Sequence, residues 1–176
     1  AVLRFAESEQ NQVMAKVGIS AVDYAGARKN LDAEILDWNF DRVQRNAKTA
    51  WPQQLDKAHV KGGTPDDKTI FYTALYHCAI SPNLFTDGDG RYRGHDQKIH
   101  LAEDGPIYTV FSLWDTFRAF HPLLTIIDPE RDNAFIRTLL VNYDQGGILP
   151  KWELAANYTG TMIGYHAVPA IVDAYM

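Results

Sequence analysis

The sequence predicts a mainly α chain, part of an α/α toroid, entered from the last strands of a β-sheet. Three observations predict it. The hydrophobic period is 2 up to Ser20 and becomes helical after it. Two cap–Pro–acid starts, Thr64-Pro65-Asp66-Asp67 and Asp128-Pro129-Glu130, open apolar runs at helical spacing. Long Gly-, Asp- and His-rich stretches separate short helices, as in toroids that carry function on their loops.

Each element follows from local chemistry. Val13, Ala15, Val17 and Ile19 alternate with Gln12, Met14, Lys16 and Gly18, which predicts a strand. Ala1–Phe5 predicts a second, joined by the polar Glu7–Asn11. Two strands alone are only marginally stable, so their sheet is expected to continue upstream of this chain. Ser20 and Asp23 bracket a helix start, and Tyr24 to Leu36 is rich in Ala, Leu, Lys and Glu. Asp41 is placed to cap a second helix reaching about His59, with Pro52 kinking or dividing it. Behind Thr64, Ile70, Phe71, Ala74, Leu75 and Cys78 share a helix face that Ser81-Pro82 ends. Asn83 to Pro106 reads as one long loop with turns. Ile107–Phe111 reads as extended, Ser112 as the cap of a helix through Phe120, and Pro122 as the start of another. Phe135, Ile136, Leu139, Leu140 and Tyr143 mark the helix after Asp128, and Gly146-Gly147 ends it. Ile148–Leu154 is extended. Thr159 or Thr161 is expected to cap a last helix that contains Met162, Ile163, His166, Ala170 and Ile171.

Composition narrows the function. The chain has 176 residues, 46% hydrophobic and 22% charged, which suits a folded body with its own core. Its net charge of −5, with no Lys/Arg stripe, argues against a nucleic-acid partner. No apolar run approaches the ~20 residues that span a bilayer, so no membrane partner is expected. Cys78 is the single cysteine, which excludes an internal disulfide.

Two segments stand out chemically, Trp114-Asp115-Thr116-Phe117-Arg118 and Pro150-Lys151-Trp152-Glu153-Leu154. Each sets a carboxylate beside an indole. A sugar site uses both groups: the ring faces apolar C–H groups, and the carboxylate accepts hydrogen bonds from vicinal hydroxyls. Asp115 and Arg118 are three apart, which puts them on one helix face as an ion pair or as a fork for a polar ligand. The bland alternative is a structural helix pair with both tryptophans in the core. Two carboxylates can also be the acid and base of a glycosidase, but spacing along the chain does not report their separation in space. Arg91-Tyr92-Arg93-Gly94-His95-Asp96 is a polar cluster that either lines a cleft or forms a solvated turn. Asp87-Gly88-Asp89-Gly90 departs from the calcium-loop pattern at Arg91 and reads as a tight turn. No specific metal-ligand spacing occurs. His77, His121 and His166 sit in apolar surroundings, as hydrogen-bonded core or rim histidines do.

Several runs, in order, resemble glycoside hydrolase family 92. They are Phe71-Tyr-Thr-Ala-Leu-Tyr-His77, Tyr92-Arg-Gly-His-Asp96, Tyr108 to Ala119, His121-Pro-Leu-Leu124, Leu149-Pro-Lys-Trp-Glu-Leu154 and Met162-Ile-Gly-Tyr-His166. Lys16-Val-Gly-Ile-Ser20 and Ala27-Arg-Lys-Asn-Leu31 resemble it as well. The resemblance implies a calcium-dependent, inverting exo-α-mannosidase that acts on mannose-containing glycans. It implies a β-sandwich domain followed by an (α/α)6 barrel, with the site between them. Residues 1–20 would be the end of the sandwich, 21–62 linker helices, and 63–176 the first part of a truncated barrel. Asp115 would contact mannose hydroxyls, and Trp152 would line the same −1 subsite. Arg118, Glu153 and Asp96 would touch the sugar or the residues behind it. The family's acid, a Glu before a Val-Pro-His-Asp-like motif, and its base, an Asp in a Gly-Asn-Asp-Asp-like motif, have no counterpart here, and the calcium ligands are expected mainly in later segments. The resemblance also implies a secreted, periplasmic or cell-surface protein of a bacterium. Ala155-Ala156-Asn157-Tyr158 departs from the more polar, Gly-containing turn of relatives. The alternatives are a non-catalytic structural or sugar-binding piece and a different (α/α)6-barrel glycosidase.

Overall fold

A computed structural model describes Val2, Arg4 and residues 13–176. Helix dominates them. In chain order the elements are α1 (Tyr24–Glu34), α2 (Phe40–Leu55), α3 (Pro65–Cys78), β1 (Asn83–Leu84), β2 (Arg91–Arg93), β3 (Ile99–Leu101), β4 (Tyr108–Thr109) and β5 (Phe111–Ser112). There follow α4 (Leu113–Thr116), α5 (Phe120–Ile127), α6 (Pro129–Gly146), β6 (Trp152–Leu154), β7 (Asn157–Tyr158) and α7 (Ala167–Tyr175). None of the described helices is long and apolar enough to cross a membrane.

The strand expected over Ala1–Phe5 falls outside the described residues, apart from Val2 and Arg4. Val13–Ser20 takes no regular secondary structure and joins no ladder among the described residues. Side-chain contacts hold it instead. Lys16 donates to the Ile35 carbonyl at 2.9 Å and lies 4.8 Å from the Trp38 ring centroid, and Asn30 donates to the Ile19 carbonyl. Alternation prepares a strand, but only a partner makes one.

Helix starts are set by capping chemistry. Asp23 accepts from the Gly26 amide at 2.6 Å and opens α1. Asn39, not Asp41, caps α2 by accepting from the Arg42 amide, and α2 ends at Leu55 with Pro52 in its last turn. Thr64 and Asp67 form a reciprocal capping box at α3. Asp128 does not cap α6. Its carboxylate pairs with Lys57, and with Arg131 at 3.2 Å, so it ties α6 to the segment behind α2. Gly147, at φ 80°, takes the left-handed position that closes α6.

The core sits where α5, α6 and α7 pack on one another and on β5. Phe111, Leu113, Leu124, Phe135, Ile136, Leu139, Ala167 and Ala170 form it. Phe135 meets the rings of Tyr108 and Phe111 edge to face. Three expectations change. The single loop over 83–106 contains β1, the antiparallel β2–β3 hairpin and tight turns. The helix expected from Ser112 to Phe120 is one turn, α4, separated from α5. The last helix starts at Ala167, because Gly160, Met162 and Gly164 all have positive φ and block helix over 160–164.

Candidate functional site

β5, β6 and β7 form a three-stranded antiparallel sheet with β6 in the centre. Phe111 pairs with Glu153, and Ser112 with Trp152. Because side chains alternate along a strand, Trp152 and Glu153 leave β6 on opposite faces. The indole beside a carboxylate at 152–153 is therefore not one gripping surface, as sequence adjacency suggested.

Glu153 points inward and is 1% exposed. Its carboxylate accepts from the Thr109 hydroxyl at 3.0 Å, the Val110 amide at 3.0 Å and the Ala156 amide at 2.9 Å. The Thr109 oxygen in turn accepts from the Ala155 amide at 2.7 Å. Three of the residues held this way are left-handed: Val110 at φ 70°, Ala155 at 49° and Ala156 at 64°. Such a conformation costs an L-residue about 1–2 kcal/mol, and a β-branched one rarely adopts it. Ala155-Ala156 is the two-residue turn between β6 and β7, at positions that favour Asn-Gly. The departure noted in the sequence thus keeps the tight turn without its usual residues.

Burial pushes the Glu153 carboxyl upward, against the lowering effect of its donors. His95 lies 4.0 Å away, and burial pushes its imidazole down. The turn that carries Asp96 rests on the same place. Gln97 donates to the Ala156 carbonyl at 2.8 Å, and Gln145 accepts from the His95 amide while donating to the Tyr92 hydroxyl. The Asp96 carboxylate itself is engaged by His100 at 2.9 Å and by the Lys98 amide, and the His100 bond lowers its pKa.

On the other face, Ser112 joins the remaining candidates. Its hydroxyl donates to the Asp115 carboxylate, and its backbone pairs with Trp152. Asp115 is exposed and Trp152 half-buried. One serine thus contacts both segments, Asp115 through its hydroxyl and Trp152 through strand pairing, from positions 37 residues apart in sequence. Arg118 does not pair with Asp115: α4 ends at Thr116, so the two share no helix face, and the guanidinium lies 5.2 Å from the Phe117 ring centroid.

Sequence reading missed three contributors. Thr109 is buried and bridges Glu153 to Ala155, but nothing in the run from Tyr108 to Ala119 marks it as a partner of Glu153. His166 stacks on Phe117, with ring centroids 4.2 Å apart, and brings the 160–166 loop to the Asp115 turn. Lys151 lies 5.8 Å from the Tyr165 ring centroid, beside Trp152 in sequence. The run ending Gly164-Tyr165-His166 was visible in the sequence, but not its contact with Phe117. Among the described residues, no three His, Cys, Asp or Glu side chains converge to hold a metal ion.

A family model described as the catalytic domain of glycosyl hydrolase family 92 matches residues 26–176. A family GH92 α-mannosidase from Bacteroides thetaiotaomicron superimposes with a TM-score of 0.80 at 38% identity, over 86% of this chain and 20% of its own. That enzyme has also been solved with mannoimidazole bound. An inverting GH92 mannosidase from B. thetaiotaomicron VPI-5482 superimposes with a TM-score of 0.81 at 30% identity, over 89% of this chain and 21% of its own. A protein of Arthroderma benhamiae named as an uncharacterized secreted glycosidase is 34% identical over 79 residues, which is 43% of this chain and 10% of that protein. The chain thus spans about a fifth of the solved relatives and a tenth of the fungal one.

Proposed function

Starting from a chain that belongs to glycosyl hydrolase family 92, we propose that it forms part of the −1 subsite of an inverting exo-α-mannosidase that releases terminal α-linked mannose from glycans. The observation that carries the reading is that Ser112 bonds Asp115 through its hydroxyl and pairs with Trp152 across the strands. The exposed carboxylate is free to accept from sugar hydroxyls, and the half-buried indole offers a face to the ring and excludes water. Arg118 extends the polar rim. Asp96 and Glu153 act from behind it. The solved mannosidases, one with a mannose-like inhibitor, support the substrate class.

In this reading residues 1–20 end a β-sandwich domain, 21–62 are linker helices, and 63–176 begin an (α/α)6 barrel. The general acid and base stand on other segments of the parent chain, as do most ligands of its calcium. The acid protonates the leaving oxygen, and the base activates water on the opposite face of the ring. Asp115 and Trp152 hold the ring in place for that displacement. The fungal relative, named as a secreted glycosidase, supports a secreted or surface location. Taken alone, the chain binds or supports sugar without turnover.

The test uses the complete enzyme that carries this chain. It is expected to hydrolyse a terminal α-mannoside and to release β-mannose first, seen by proton NMR. Asp115→Ala is expected to lower kcat/KM roughly a hundredfold or more, the loss of a transition-state anchor. Near-parental activity in that variant removes Asp115 from the site.

A further inference from the structure

We infer that Glu153 is a positioning residue: its buried carboxylate fixes β5 against β6 and so sets Trp152 and Asp115 relative to each other. The inference rests on the mannosidase reading for its activity arm only.

The geometry behind it is a corner. β4 pairs with β1, whereas β5 pairs with β6, so the chain changes sheets between Thr109 and Phe111. Val110, left-handed at φ 70°, is the residue that makes the change. A β-branched residue stays there only where its surroundings determine it. Its amide donates to Glu153 at 3.0 Å. The same carboxylate reaches the far end of β6 through the Ala156 amide, and reaches Ala155 through the Thr109 hydroxyl. One carboxylate therefore ties the corner that precedes β5 to the turn that follows β6.

What lies between is the candidate subsite. Phe111 is opposite Glu153, and Ser112 is opposite Trp152. The Leu113 amide donates to the Lys151 carbonyl at 3.2 Å, which seats the first residue of α4 on β6. Ser112 then holds Asp115. A shift of β5 along or away from β6 moves the carboxylate of Asp115 relative to the indole of Trp152. Glu153 touches neither group.

Turn support alone is the competing role, and turn chemistry separates the two. Asn-Gly adopts the left-handed pair at 155–156 without help. Glu153→Gln keeps the size of the side chain but presents an NH2 group where only acceptors are wanted, so one of the donating groups loses its partner. The experiment compares the complete enzyme with E153Q and with E153Q/A155N/A156G. The readouts are the unfolding midpoint, kcat on an α-mannoside, and hydrogen exchange over 107–118 and 149–160. E153Q is expected to lower the midpoint, lower kcat at least tenfold and speed exchange in both peptides. The repaired turn is expected to restore the midpoint and protection over 149–160, but neither kcat nor protection over 107–118. Recovery of kcat together with the midpoint overturns the inference, as does unchanged exchange over 107–118 in E153Q. If the parental enzyme is inactive on mannosides, the mannosidase reading fails and exchange over 107–118 decides the positioning role. If E153Q does not fold, Glu153→Asp, which withdraws the acceptor by one methylene, is read the same way.

Discussion

His121 and Asp132 form a hydrogen-bonded pair, Nδ1 to Oδ1 at 2.8 Å, each 1% exposed. His121 stands on α5 and Asp132 on α6, so the pair crosses the core contact that Phe135 fills from the apolar side. Buried polar groups of this kind are costly when left single. Asp132→Ala in the complete enzyme is expected to destabilise it by about 3 kcal/mol, because a buried imidazole nitrogen loses its partner and a cavity opens. Chemical denaturation reads the effect as a lower midpoint. A change below about 0.5 kcal/mol would mean that the pair contributes nothing net. The lesson at Glu153 is of the same kind. Adjacent letters in a strand face opposite ways, so Trp152 meets Ser112 while Glu153 meets Thr109.

Among the elements, the stretch from Asn83 to Pro106 is a clamp. Asp87 accepts from Ser20 at 2.6 Å and from Asn30 at 2.8 Å, and Arg93 donates to the carbonyls of Ala21 and Val22. Lys29 reaches Asp89 at 2.9 Å, and Arg91 links Asp89 to Asp23. The turn read from Asp87-Gly88-Asp89-Gly90 thus binds α1 and the residue Ser20 before it. The Lys29 ammonium, chiefly, holds the Asp89 carboxyl at about 2, below the ordinary carboxylate value of 3.8. A lowered acid stabilises the folded clamp above pH 3.8, and that contribution is lost as pH falls through about 2. Opening of 20–35 to pepsin is therefore expected to rise over that window. Lys29→Gln should move the onset to higher pH, and salt should weaken the effect because these groups are exposed. An onset unmoved by Lys29→Gln would remove this ion pair from the clamp.

For the whole molecule, exposed apolar side chains persist on several helices. Ile70 on α3, Phe40 on α2 and Val172 and Tyr175 on α7 are all open to solvent. A chain that spans a fifth of its solved relatives leaves room for other segments to cover such faces. In the proposed reading, the acid, base and most calcium ligands stand on such segments. Activity of the complete enzyme on α-mannosides is expected to vanish in EDTA and to return with calcium. Full activity in EDTA would remove calcium from the proposal. The isolated chain is expected to show no turnover.

The sequence by itself determined the helices that begin at Asp23 and Thr64, the stop at Gly147 and the family. These rest on local chemistry: a cap, a proline, a glycine and runs of side chains in fixed order. It also marked the segments that hold Asp115 and Trp152. Only the tertiary structure decided that Ser112 bonds Asp115 and pairs with Trp152, that Arg118 turns to Phe117, and that Glu153 faces the interior. Strand pairing and the hydrogen bonds of a left-handed corner join residues about 40 positions apart. No period or spacing along the chain carries that information.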